Sequence, residues 1–206
     1  MDFSLIETLR WQPEAGFLRI DQHLRRLSRS ADALGFRQPQ DAKGKLEKEV
    51  SGSEALRVRL VMTYRGKMEV TVTPFEPIEE AMVWRLKIAR TRLPSEDSLF
   101  RHKTTRRDPY EAARAEYSKD EADEVILLNE RGEVCEGTIT NIFAESADGM
   151  LLTPPLTSGL LPGVLRAELI RERKARGEVL KLDDLRHRKL FVGNSLRGLI
   201  PAELID

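Results

Sequence analysis

Residues 56–62 set the first constraint on the fold. Leu56, Val58, Leu60 and Met62 alternate with Arg57, Arg59 and Val61. This period of two puts four apolar side chains on one face of a strand and both arginines on the other. Such a strand needs a sheet with one buried face. Tyr64-Arg65-Gly66-Lys67 reads as a hairpin turn into a strand over 68–73. Upstream, strands over 3–9 and 17–20 flank Trp11-Gln12-Pro13-Glu14-Ala15-Gly16. The period then changes. Leu24, Leu27, Ala31 and Leu34 follow helical spacing, with Asp21 suited to the N-cap and Gly35 to the stop. Residues 42–50 predict a second, short, charged helix. A chain that interleaves both periods in this way predicts an α+β fold.

Pro74 to Glu80 marks a candidate boundary, giving a small α/β lobe over 1–80 and a larger lobe over 81–206. The second lobe opens with a strand over 82–90 and a polar loop, Thr91 to Arg107. A helix follows, with Asp108 as N-cap, Pro109 in its first turn and Glu111 completing a capping-box pattern. Val125-Ile126-Leu127-Leu128 is a continuous apolar run of strand length, and Glu130 to Glu133 a turn. Strands are expected over 139–144, 150–153 and 191–192. Pro162-Gly163 starts a helix predicted over 164–176, with Val164, Leu165, Leu169 and Ile170 on one face.

Charge narrows the function. Of 206 residues, 34 are Lys or Arg and 34 are Asp or Glu, so the net charge is zero. Affinity for nucleic acid rests on excess positive charge, which argues against a dedicated nucleic-acid binder. No apolar run approaches the roughly 20 residues of a membrane helix. Met1-Asp2-Phe3-Ser4 does not open a signal peptide. A single cysteine, Cys135, excludes an internal disulfide framework, and His23, His102 and His187 lack metal-ligand spacing. The expectation is a cytoplasmic protein with no structural metal and no membrane partner.

Four segments can carry chemistry. Phe100 to Arg107 is strongly basic. Nearby cations disfavour a protonated ammonium, so Lys103 suits a nucleophile; a solvated basic loop and a nucleic-acid patch are the alternatives. Thr157 to Arg166 enters a helix through Gly163. Its free N–H groups and the helix dipole make an anion site, or else it is simply a Pro-started helix. No GxGxxG or P-loop pattern is present. Glu136 lies between two apolar strands and, if it faces inward, needs a cationic partner. Gly193-Asn194-Ser195 is either a plain turn or a further set of anion contacts.

Together these segments resemble the class-IV aminotransferase superfamily, the pyridoxal-phosphate enzymes of fold type IV. The resemblance runs in the family's order through Ile6-Glu7-Thr8-Leu9-Arg10, His23-Leu24-Arg25-Arg26-Leu27, His102-Lys103, Glu136-Gly137 with Thr140-Asn141-Ile142-Phe143, Thr153 to Ser158 with Leu161-Pro162-Gly163 and Arg166, and Gly193-Asn194-Ser195. It implies a two-lobed enzyme, with the larger lobe resembling a β-barrel. Lys103 would be the residue joined to pyridoxal 5'-phosphate as a Schiff base and would then shuttle protons. Glu136 would pair with the pyridine nitrogen. Arg26 and the N–H groups of Val164 and Leu165 would bind the phosphate, with Asn194 and Ser195 near it. Arg59 would contact the substrate carboxylate. A homodimer is implied as well.

Two departures bear on the substrate. The chain lacks the family's usual N-terminal strand and its Asp-Arg-Gly…Gly-Asp-Gly stretch, so part of the substrate wall is expected to be missing or supplied otherwise. Branched-chain aminotransferases carry a tyrosine shortly after the lysine; here Asp108 has that spacing and Tyr110 is only nearby. The leading expectation is 4-amino-4-deoxychorismate lyase, forming 4-aminobenzoate and pyruvate for folate synthesis. Thr8, where aminotransferases more often have Gly, and Asn194 support it, while Glu7 follows the aminotransferase pattern. The alternatives are a branched-chain or D-amino-acid transaminase, and a cofactor-binding homologue without turnover.

Overall fold

The computed structural model describes residues 2–79 and 81–205. The chain forms two compact units, one of Met1–Pro77 with His102–Arg106 and one of Ile78–Arg101 with Arg107–Asp206. The division expected between 80 and 81 involves Glu80, which lies outside the described residues.

The first unit is a four-stranded antiparallel sheet with two helices. Its strands are β1 (Leu5–Gln12), β2 (Gly16–Phe17), β3 (Leu56–Met62) and β4 (Met68–Pro74), in the order β2-β1-β3-β4. The helices are α1 (Ile20–Ala33) and α2 (Ala42–Lys48). Leu5, Leu9, Val58, Leu60 and Met62 pack with Leu27, Ala31 and Leu46 in one core. The alternation of β3 thus has its expected consequence: the odd positions Arg57, Arg59 and Val61 lie on the opposite face. Helix α1 starts at Ile20, after Arg19 in a left-handed conformation, and not behind an Asp21 cap. Residues 102–106 join this unit because the Ile6 N–H donates to the Lys103 carbonyl, the Thr105 N–H donates to the Ser4 carbonyl, and Leu5 bridges Thr104. Lys103 is therefore fastened to β1, although more than twenty residues of the other unit precede it.

The second unit is built on an eight-stranded mixed sheet curled into a half-barrel. Its strands are β5 (Trp84–Leu93), β6 (Glu124–Asn129), β7 (Val134–Gly137), β8 (Asn141–Glu145), β9 (Leu151–Thr153), β10 (Ala175–Gly177), β11 (Leu190–Asn194) and β12 (Gly198–Leu204), in the order β10-β9-β8-β11-β12-β5-β6-β7. Helices α3 (Asp108–Ala115), α4 (Val164–Arg171) and α5 (Leu182–Arg186) accompany it. The apolar run in β6 is buried along its whole length, as a strand covered on both faces requires. Asp108 is the first residue of α3 rather than its cap, and no side chain caps that helix. Helix α4 ends earlier than its pattern predicts. Arg173 turns left-handed, and Ala175–Gly177 leaves to pair in parallel with β9.

Candidate active site

In the first unit the alternation of β1 puts Glu7 on the apolar face between Leu5 and Leu9. His23 and Arg26, three apart on α1, meet it there. The His23 Nδ1–H donates to Glu7 Oε2 (2.6 Å). Arg26 donates through Nε to Oε1 (2.8 Å) and through Nη2 to Oε2 (2.6 Å). Glu7 and His23 are both buried. Burial alone would raise the Glu7 carboxyl, but Arg26 and His23 overturn that and hold it at about 2. Burial lowers His23; the Glu7 carboxylate opposes this, while the charges of Arg26 and Lys103 add to it. His23 is neutral and Glu7 ionised at pH 7, and the charge of Lys103 is felt at the same cluster. Arg59 sits on the other face of the sheet, directly opposite Thr8 in the β1–β3 register. A guanidinium and a hydroxyl lie side by side there.

In the second unit Glu136 is the next-to-last residue of β7, with its side chain buried. Donors from α3, β8 and the loop before α4 reach it. The Tyr110 hydroxyl on α3 (2.7 Å) and the Leu161 N–H (3.0 Å) donate to Oε1, and Asn141 Nδ2 on β8 donates to Oε2 (3.3 Å). Burial and the Glu136 charge push the Tyr110 phenol well above its usual range, so it stays a donor. The cation expected near Glu136 is Arg166. Its guanidinium interacts with Glu136 through charge, donates from Nη2 to the Pro154 carbonyl (2.8 Å), and has a buried Nε without a hydrogen-bond partner among the described residues. Burial lowers the Arg166 pKa, partly offset by Glu136.

Asn141 ties this carboxylate to the start of α4, since its Nδ2 also donates to the Leu161 carbonyl (3.1 Å). A Cβ on Gly163 would lie 1.9 Å from Asn141 Oδ1, so this approach needs glycine. Val164 and Leu165 begin α4 in buried positions, and no side chain caps the helix. Their N–H groups are first-turn donors, which the helix itself cannot satisfy. With the dipole they present positive charge in a buried place. Gly193 packs close to Leu165; a Cβ there would lie 3.0 Å from Leu165 Cδ2. Asn194 spends its side chain inside the loops, donating to the Ile139 carbonyl (3.1 Å) and accepting from the Leu196 and Arg197 N–H groups. Ser195 is buried beside it.

The structure thus groups Arg26 and Lys103 in one unit, with Arg59 across the sheet. It groups Glu136, Val164, Leu165, Asn194 and Ser195 in the other. Sequence reasoning gave no role to Glu7, His23, Tyr110 or Asn141. Glu7 left a signal, a carboxylate at an apolar position of an alternating strand. Tyr110 was noted only as lying near the family's tyrosine position, and its contact with Glu136, which joins α3 to β7, had no local signal. Cys135 is buried and its thiol is pushed up by burial and by neighbouring carboxylates, so it is no nucleophile. No cluster of three or more potential metal ligands occurs among the described residues, and no described helix is long and apolar enough to cross a membrane.

Residues 4–205 match the family model described as amino-transferase class IV. A Schizosaccharomyces pombe protein named "Putative aminodeoxychorismate lyase" is 30% identical over 98% of this chain and 90% of its own length. A Thermotoga maritima protein named "Probable branched-chain-amino-acid aminotransferase" is 30% identical over 85% of this chain and 68% of its own. Among solved structures, one described as a putative amino-acid aminotransferase from Mesorhizobium loti is 51% identical, with a TM-score of 0.93 over 99% of this chain and 100% of that one.

Proposed function

Because this chain belongs to the class IV aminotransferases, enzymes that use pyridoxal 5'-phosphate, we propose that it is a 4-amino-4-deoxychorismate lyase. The observation that carries the choice is the end-to-end likeness to the lyase-named relative, 98% of this chain against 90% of the other. The Thr8 hydroxyl, placed opposite Arg59, supports it at the level of residues.

The residues fit the cofactor. The buried, uncapped N–H groups of Val164 and Leu165 call for an anion, and so does the orphaned Nε of Arg166 nearby in sequence. Arg26 and these N–H groups would hold the phosphate. Glu136, with its donors, would take the ring nitrogen. Lys103 would be the covalent anchor. Asn194 and Ser195 would shape the same corner. Bound there, the cofactor supplies an electron sink for the bond that breaks next to the substrate amine.

The protein's own work follows from these placements. Arg59 and Thr8 bind and orient a carboxylate. Lys103 would be the base that takes the proton from the amine-bearing ring carbon. Its charge is felt at His23. It then returns a proton to the departing enolpyruvyl group, so that pyruvate leaves and the ring becomes aromatic. Atoms and protons balance with no other reactant. We place the enzyme in the cytoplasm as a homodimer, as its family suggests.

A second reading is favoured by the Mesorhizobium relative: an amino-acid transaminase, in which the same lysine moves a proton between two carbons. Purified enzyme given 4-amino-4-deoxychorismate should release 4-aminobenzoate. Absence of that product, together with conversion to the pyridoxamine form by an amino acid, selects the transaminase.

A further inference from the structure

The buried cluster under β1 points to a positioning residue. We propose that Glu7, steadied by His23, fixes the guanidinium of Arg26 so that it meets a phosphoryl group through one edge and in one orientation. The inference rests on the reading that Arg26 holds the cofactor phosphate.

Glu7 occupies an apolar position between Leu5 and Leu9, in a core that otherwise takes Leu, Val, Met and Ala from the sheet and α1. A carboxylate there is costly, and it is kept charged by two partners on α1. Its oxygens span Nε and Nη2 of Arg26 at 2.8 and 2.6 Å, a fork-to-fork pair that fixes the plane of the guanidinium. Any further acceptor then approaches Arg26 from the Nη1 side. His23 closes the cluster by donating to the oxygen already bound by Nη2, so the Glu7 carboxylate cannot rotate without breaking three bonds. With His23 neutral, Glu7 and Arg26 cancel in charge. What the cluster offers an anion is therefore geometry more than net charge. This separates positioning from simple electrostatics by sign. If Glu7 only offset Arg26, removing its charge would tighten phosphate binding. If it positions Arg26, removal weakens binding.

The test is titration of apo-protein with pyridoxal 5'-phosphate and with pyridoxal, whose affinity ratio isolates the phosphate. Glu7→Gln should cut that ratio by about tenfold while the affinity for pyridoxal stays within about twofold. His23→Asn, which keeps the Glu7–Arg26 fork, should cut it by about threefold, and it carries the test should the Glu7 variant fail to fold. The phosphorus resonance of bound cofactor should broaden or shift in both. A ratio that is unchanged or raised overturns the proposal. Arg26→Gln separates the two layers. Loss of the ratio there, with no loss in the Glu7 and His23 variants, rejects positioning alone. No loss in Arg26→Gln rejects the phosphate reading itself.

Discussion

Glu136 and Glu7 are both buried carboxylates, yet neighbours of different kinds hold them. Glu136 takes neutral donors from α3, β8 and the loop before α4, with Arg166 acting at a distance. Glu7 takes a direct cation and an imidazole. Replacing Tyr110 by Phe removes one donor to a buried anion and should cost about 1–3 kcal/mol of stability, read by denaturant unfolding. Turnover should fall with it, by about tenfold, if Glu136 must be held for the ring nitrogen. Glu7 and His23 also set an acid limit. Both have folded pKa values below their unfolded ones, so their stabilisation is present above the unfolded values and lost as pH falls. His23 begins to count below about pH 6.5 and Glu7 below about 4.5, the latter persisting until about pH 2. Unfolding free energy should drop between pH 7 and pH 4. A flat profile over that range would contradict the protonation states assigned here. The sequence made Glu136 legible because apolar strands flank it. It could not show Tyr110, since that hydrogen bond exists only once α3 lies against β7.

Elements with a clean period were legible, and elements defined by partners were not. The alternation in β3 and the helical spacing in α1 are local signals, and both elements form where expected. Strand β12 had no such signal, because Pro201 interrupts it and proline cannot donate to a ladder. The strand survives because pairing with β5 starts only at Ala202, so the missing N–H falls where that ladder has not begun. Helix α4 was expected to run on to 176 because Ile170 continues its apolar face. Parallel pairing of Ala175–Gly177 with β9 claims the chain instead. The start of α4 is where the proposed phosphate site lies. Gly163→Ala drives a methyl into Asn141 Oδ1 and must shift either the helix start or Asn141. Cofactor affinity, measured by absorbance titration, should weaken by about tenfold or more. A variant that binds as tightly as the parent would show that the N–H groups of Val164 and Leu165 are not the phosphate site.

For the whole molecule, zero net charge hides a sorted distribution. Arg26 pairs with buried Glu7 in one unit, and Arg166 acts through charge on buried Glu136 in the other. A boundary near the proline-rich stretch after β4 was an expectation read from the sequence. That Lys103 would return to the first unit was not, because its attachment is backbone pairing with β1 and carries no side-chain signature. Family membership fixes the cofactor, and the central claim is that Lys103 carries it. The direct measurement is borohydride reduction of the purified protein reconstituted with pyridoxal 5'-phosphate, followed by peptide mass mapping. The account predicts a yellow protein that bleaches on reduction and carries the reduced cofactor on the peptide containing Lys103. A colourless protein, or a label fixed on another lysine with none at Lys103, would contradict it.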